Sequence, residues 1–333
     1  MACTIGKRLR LLAATYGLLD FPSCAEVIRQ VMPQVSAGEA LLPLRQGMPI
    51  PNGLGVLGMM PGFIDGAPGW FGIKLVSLFP GNPARGLSSH LGLFALYEAE
   101  SGTPLALLEA GSLTAIRTAA ASVVATESLA RPEAETLLIV GAGEQAEHHL
   151  RAFAMVRPFP RVRLWARNGR AAASVAEKLA RESICDLQVF DSLEEAAAGA
   201  DVICTVTSAR EPVLTGNMLS PGMHLCLVGS SFPDRREVDD DVVAAASFFV
   251  DYRGSAFAQA GELLHAIKSG RVDKSHVRGE IGEVLSGACE GRVSSEQVTV
   301  YKSLGVAAQD LGAARLVFER ASAKGLGTVV SMG

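Results

Sequence analysis

Between residues 135 and 168 the apolar pattern changes period twice. Thr136–Val140 is a continuous apolar run, as a parallel strand buried on both faces requires. Gly141-Ala142-Gly143-Glu144-Gln145-Ala146 follows at once, and Glu147–Val156 then shows helical spacing through Leu150, Phe153 and Ala154. Pro158 and Pro160 end that helix, and Val162–Trp165 reads as the next strand. The alternation continues with a helix over Ala171–Arg181, a strand over Asp186–Phe190 and a short helix over Ser192–Ala198. In that helix Ser192 is the N-cap and Glu195 stands at the capping-box position. Asp201–Thr205, Leu225–Gly229 and Ser247–Asp251 read as further strands. Strands alternating with helices predict an α/β fold with a doubly wound parallel sheet from about residue 130 to 300.

The first 125 residues follow another rule. Gly and Pro are dense from Pro49 to Pro83, and Gly72–Leu78 and Leu91–Glu98 read as strands that pair across turns. Leu105–Ala130 is Ala-rich and predicts one helix; Val300–Lys324 predicts another, with Leu304, Ala308, Leu311, Ala314 and Val317 on one face. The segments Pro49–Gly69 and Phe232–Arg236 read as irregular. No internal repeat is present.

Composition narrows the class. The 333 residues are 49% hydrophobic and 19% charged, with net charge −4, which suits two globular domains and excludes a disordered chain. The 35 glycines have no three-residue period, so a collagen-like fold is excluded. No basic block dominates, which argues against nucleic acid as partner. The most apolar stretch, Leu105–Ala130, is broken by Glu109, Arg117 and Glu127, so no membrane helix is expected. Lys7, Arg8 and Arg10 precede the apolar run Leu11–Leu19 as in a signal peptide, but Asp20-Phe21-Pro22 follows without a small-residue cleavage site. Six cysteines (Cys3, Cys24, Cys185, Cys204, Cys226, Cys289) lack CxxC spacing and read as reduced, mostly buried thiols of a cytoplasmic protein. The six histidines form no HExxH, and no metal site is indicated.

The Gly-rich turn carries the clearest chemistry. In Gly141-x-Gly143-x-x-Ala146 the first glycine makes a tight turn and the second admits a pyrophosphate. The third small residue lets strand and helix pack, and the helix N-terminus presents N–H groups to the phosphates. Ala142, Glu144 and Gln145 belong to the same turn. At the end of the second strand NAD requires an acid for the ribose 2′-hydroxyl, whereas NADP requires cations. The chain has Ala166-Arg167-Asn168-Gly169-Arg170, so NADPH is the preferred cofactor, with Arg167, Asn168 and Arg170 as contacts. If these are merely solvated loop residues, NADH serves as well. Thr205, Val206 and Thr207, and Val228, Gly229, Ser230 and Ser231, end two later strands, where such sheets bind ligands. Their hydroxyl and backbone groups suit a nicotinamide ribose or simply close turns.

Several motifs extend along nearly the whole chain. They are Leu44-Arg45, Gly72-Ile73-Lys74-Leu75-Val76-Ser77, Gly86-Leu87-Ser88-Ser89-His90, Ser101-Gly102-Thr103-Pro104-Leu105-Ala106, Leu113-Thr114-Ala115-Ile116-Arg117-Thr118-Ala119-Ala120-Ala121-Ser122, Gly141-Ala142-Gly143, Gly279-Glu280-Ile281-Gly282-Glu283-Val284 and Tyr301-Lys302-Ser303-Leu304-Gly305. In order and spacing they resemble the ornithine cyclodeaminase/mu-crystallin family. The resemblance implies a homodimer, with a Rossmann domain over residues 128–307 and a second α+β domain, for substrate binding and dimerisation, over 1–127 plus 308–333. It also implies nicotinamide chemistry on a small imino or amino acid. Arg45 and Arg117 match residues that hold the substrate α-carboxylate, and Lys74 matches a lysine beside the reacting carbon. His90 and Ser231 are expected as further substrate contacts, with a structural role equally open for His90, and Thr118 and Leu304 as further cofactor contacts. Cations inside apolar motifs are conspicuous by themselves, because Lys and Arg are rarely buried unpaired, although structural ion pairs would serve equally. Cyclodeaminases carry an Asp where this chain has Ser231, and a serine supplies no charge. The expectation is therefore an NAD(P)H-dependent reductase of an imino acid. The substrate is a cyclic ketimine such as pyrroline-2-carboxylate or piperideine-2-carboxylate, or an acyclic one such as iminosuccinate. Alternatives are an ornithine or lysine cyclodeaminase, an alanine-type dehydrogenase, or a binding protein without turnover.

Overall fold

A computed structural model describes residues 8–12, 15 and 17–331. Cys3, Lys7 and part of the Leu11–Leu19 run lie outside the described residues. The chain divides into two compact units: Met1–Arg117 with Val306–Gly333, and Thr118–Gly305.

The first unit begins with β1 (Arg8–Leu12), α1 (Phe21–Ser36), β2 (Ala40–Leu41) and β3 (Gln46–Ile50). The antiparallel meander β4 (Gly55–Ile64), β5 (Trp70–Leu78), β6 (His90–Glu98) and β7 (Pro104–Glu109) follows. Helix α1 starts where Asp20 accepts from the Ser23 amide at 2.7 Å, and it buries Cys24, Ile28, Val31 and Val35 along one stripe. The expected helix over Leu105–Ala130 is two elements: strand β7, then α2 (Ala110–Leu129). Leu105 and Leu107 share one face of β7 and Ala106 and Leu108 the other. Because both faces are apolar, the period of two is hidden in the sequence, and pairing with β6 and β1 decides the outcome. The segment read as irregular, Pro49–Gly69, contains ten-residue β4, which pairs with β5 on one side and with β2 and β3 on the other.

The second unit alternates strand and helix. It runs β8 (Thr136–Val140), α3 (Glu144–Val156), β9 (Arg161–Trp165), α4 (Gly169–Arg181), β10 (Gln188–Phe190), α5 (Leu193–Ala197) and β11 (Val202–Thr205). It continues with β12 (His224–Leu227), α6 (Asp240–Ala245), β13 (Ser247–Val250), α7 (Arg253–Gln259), α8 (Gly261–Lys268), β14 (Val277–Glu280), α9 (Ile281–Ser286) and β15 (Thr299–Lys302). The sheet order is β10-β9-β8-β11-β12-β15-β13-β14, with all pairs parallel. This is a Rossmann-type doubly wound sheet, as expected; β14 and β15 were not. The expected helix from Val300 is β15 at its start, because Thr299–Lys302 is buried between β12 and β13. Ser192 caps α5 by accepting from the Glu195 amide at 3.2 Å, while its hydroxyl donates to Glu194 rather than Glu195.

The chain then returns to the first unit through α10 (Ala307–Ala323) and β16 (Thr328–Ser331), which pairs antiparallel with β1. A Cβ on Gly62 would stand 2.7 Å from the Ala307 side chain, so the bare strand lets α10 lie close against β4. The first sheet is thus mixed, and the unit is α+β. Cys24, Cys204 and Cys226 are buried, Cys185 and Cys289 are partly so, and all five are free thiols. Among the described residues no helix is long and apolar enough to cross a membrane.

Candidate active site

In the first unit Lys74 occupies the middle of β5, paired with Met60 on β4 and Phe94 on β6. Its Nζ donates to Asp310 on α10, at 2.8 Å to Oδ2 and 3.0 Å to Oδ1, and stands 3.4 Å from the Thr114 hydroxyl. Arg117 donates through Nε to the same Asp310 carboxylate at 3.0 Å and through an Nη to Gln309 Oε1 at 2.9 Å. Lys74, Arg117 and Asp310 are all buried, at 2%, 4% and 0% exposure. Two cations thus share one carboxylate in a dry setting, leaving a surplus positive charge.

Burial pushes the Lys74 ammonium down to about 7; Arg117 and Arg45 push the same way, and Asp310 opposes them. Burial raises the Asp310 carboxyl, but the charges and hydrogen bonds of Arg117 and Lys74 outweigh it and hold the group below its ordinary value. Arg45, half-buried between β2 and β3, is near enough for its charge to be felt at Lys74. The three cations singled out in the sequence therefore gather together. His90 does not join them: it is exposed at the start of β6, bonded to the Ser89 hydroxyl at 2.9 Å, and four rungs (about 13 Å of strand) from Lys74. Asp310, Gln309 and Thr114 were missed. The signal for Asp310 was a carboxylate inside an otherwise apolar helical run, where buried cations need a partner.

In the second unit the strand order reverses at β8, whose carboxyl end lies beside that of β11. Gly141 has φ +125°, and a Cβ there would stand 2.9 Å from the Val206 carbonyl. Ala142 is half-buried, and Glu144 is exposed in the first turn of α3. Gly143 is the N-cap of α3 without a side-chain capping bond, and nothing lies within 4 Å of where its Cβ would be. Next to it, Gln145 Oε1 is buried without a hydrogen-bond partner among the described residues. A tight turn, open space and uncapped helical N–H groups fit a dinucleotide diphosphate.

Arg167, Asn168 and Arg170 are exposed after β9, and Asn168 Oδ1 caps α4 by accepting from the Ala171 amide at 3.3 Å. The Thr205 hydroxyl, the Thr207 amide and hydroxyl, and the Gly229 amide all donate to Glu237. Val206 and Val228 continue the ladder, their amides donating to Val140 and Thr205. Ser230 is buried and donates to the Arg235 carbonyl at 2.9 Å, with half-buried Ser231 next to it. Asp251 holds the Leu304 amide at 2.7 Å, and Thr118 is buried on α2. Glu237 and Asp251 were missed: Glu237 reads as a solvated loop acid, and Asp251, which ends the apolar run Phe248–Val250, was the one with a signal. Among the described residues no group of three or more His, Cys, Asp or Glu could hold a metal ion.

The sequence profile of the ornithine cyclodeaminase/mu-crystallin family, matching residues 8–325, covers both arrangements. The chain belongs to this family. As a family member it is 38% identical over 282 residues to the ketimine reductase mu-crystallin of Mus musculus, spanning 85% of this chain and 86% of that protein. The structure of Thermococcus litoralis Δ1-pyrroline-2-carboxylate reductase, in complex with NADH and L-proline, is 31% identical. It superposes with a TM-score of 0.92 over 96% of this chain and 99% of that one. An archaeal alanine dehydrogenase dimer with bound NAD is 28% identical, with a TM-score of 0.91 over 98% and 100% of the two chains.

Proposed function

We propose that this family member is a nicotinamide-dependent imine reductase that converts a small imino acid to an L-amino acid. The observation that carries the reading is the buried group Lys74–Asp310–Arg117, in which a lysine exchanges its proton near pH 7 beside a fixed guanidinium. Arg117 and Arg45 hold the substrate carboxylate, the task for which a guanidinium fork is suited. Asp310 and Gln309 fix the plane of Arg117, so its donors keep one direction. The Lys74 ammonium keeps the imine nitrogen protonated, which makes the adjacent carbon electrophilic; in the reverse direction neutral Lys74 takes the proton back. The surplus positive charge of the cluster favours an anionic substrate. Gly141–Ala146 would hold the diphosphate of a reduced nicotinamide dinucleotide, whose chemistry is to supply the hydride.

Arg167 and Arg170, with no acid among residues 166–170 after β9, support NADPH as the preferred cofactor and NADH as a slower one. A homodimer is part of the same reading. Leu75 and Leu93 face each other across β5 and β6. Two rungs on, Met48 and Leu91 lie on the same face, and all four are exposed apolar side chains. A monomer rarely leaves such a face to water.

A steady-state screen tests the proposal. NADPH and NADH oxidation is followed with pyrroline-2-carboxylate, piperideine-2-carboxylate and iminosuccinate, beside ammonia release from ornithine and lysine. Oxidation with at least one imine is expected. Ammonia release without cofactor oxidation, or no turnover of any kind, would refute it.

A further inference from the structure

Glu237 lies just before α6 and is completely buried. Both carboxylate oxygens are saturated. Oε2 accepts from the Thr205 hydroxyl at 2.8 Å and the Gly229 amide at 2.7 Å, and Oε1 from the Thr207 amide at 2.7 Å and hydroxyl at 2.8 Å. Behind it stand two more fully buried charges. Glu262 Oε1 accepts from the Glu237 amide at 3.1 Å and from Lys302 Nζ at 3.2 Å, while Lys302 also donates to the Ser230 carbonyl at 2.7 Å. Two carboxylates and one ammonium are therefore buried together. Such a group is costly to dehydrate and is a poor way to gain stability, since apolar packing does at least as well.

Nor is it needed to pair the strands. The ladder already joins β11 to β12 through Cys204–Cys226 and Thr205–Leu227. The donors that Glu237 holds lie at and beyond the last rung; the Gly229 amide is shared with the Thr205 carbonyl at 3.2 Å, while the Thr207 amide turns to Glu237. Gly229 shows how closely the two turns are drawn together: a Cβ there would stand 2.1 Å from the Thr207 carbonyl and 2.4 Å from Glu237 Oε1. Thr205, Thr207, Gly229 and Ser230 also form the sheet edge read above as receiving the nicotinamide riboside.

We infer that Glu237 is a positioning residue: its carboxylate clamps the turns after β11 and β12 in the one arrangement that receives the nicotinamide half of the dinucleotide. This rests on the reading of that edge as the cofactor site. Glu262 and Lys302 hold the clamp from behind. The phosphate-binding turn at Gly141–Gly143 makes no bond to Glu237 among those described; Gly141 packs against Val206 between the clamped residues, so the adenylate half depends on the clamp less than the nicotinamide half does.

The substitution Glu237→Gln tests this with little change of shape. An amide offers one acceptor oxygen, and whichever way it turns, its NH2 faces two of the four donors. Binding is measured by calorimetry with the reduced dinucleotide that the wild type prefers and with the corresponding adenosine diphosphate (with or without the 2′-phosphate), which lacks the whole nicotinamide riboside. With two hydrogen bonds lost, the dinucleotide Kd rises about tenfold, and that of the adenosine diphosphate changes less than about twofold. Equal weakening of both ligands, or no change in either, overturns the inference. A wild type that binds neither dinucleotide refutes the underlying reading of the site instead. Should Glu237→Gln not fold, Thr205→Val removes one of the four donors, and the dinucleotide alone weakens about threefold. An unchanged Kd in that variant also overturns the inference.

Discussion

Replacing Asp310 by Asn tests the central group of charges. The carboxylate lies 2.8 Å from Lys74 Nζ and 3.0 Å from Arg117 Nε, with almost no water around any of the three. Asparagine keeps the shape, loses the charge and presents an NH2 to a cation. A unit pair at about 4 Å in an effective dielectric near 20 is worth about 4 kcal/mol. Orphaning one partner of a buried pair costs roughly 3–5 kcal/mol. The loss depends on pH, with a definite sign. Lys74 in the folded protein titrates near 7, below its ordinary 10.5, and Asp310 is what resists a further fall. Without it the folded-state value drops again. Destabilisation is then largest below pH 7, where wild-type Lys74 carries its proton, and shrinks as pH rises through 7, where the wild-type lysine is itself neutral. Urea unfolding at about pH 6 and about pH 8 reads this directly. The alkaline limb of the kcat/KM profile for imine reduction moves to lower pH in the same variant. A loss that is independent of pH, an alkaline limb moved upward, or wild-type midpoints at both pH values would refute the reasoning.

Three further outcomes are expected. Lys74→Met lowers turnover roughly 10²–10⁴-fold while leaving ADP-ribose affinity within about twofold, because it removes the proton carrier and not the phosphate turn; single-turnover kinetics beside calorimetry separate the two. Arg167→Ala lowers the preference for NADPH over NADH by about tenfold in kcat/KM, the loss of one charge-assisted bond; an unaltered ratio excludes Arg167 from cofactor discrimination. Leu93→Lys, which puts a charge opposite Leu75 on the exposed sheet face, converts a dimer to a monomer in sedimentation at micromolar concentration, and a persisting dimer would place the interface elsewhere.

The sequence by itself determined the parts whose physics is local. An apolar strand, a glycine turn and a helix follow one another in a single stretch, so β8, Gly141–Ala146 and α3 were legible from period and turn chemistry alone. Cations in apolar motifs were equally plain, because desolvation of a charge is costly wherever it occurs. Partners distant in the chain were not legible. Whether Leu105–Glu109 is strand or helix depends on β1 and β6, since a run apolar on both faces carries no period of its own. The carboxylate that Lys74 and Arg117 share stands 236 and 193 positions away, on a helix reached only when the chain returns to its first unit. Glu237 sits in Asp234-Arg235-Arg236-Glu237, which reads as a solvated loop. Only folding placed it between two strand ends and made its carboxylate their common acceptor. The sequence specified which residues carry charge and which segments alternate. Tertiary structure alone decided which charges meet and which lose their water, because burial and pairing are properties of neighbours in space.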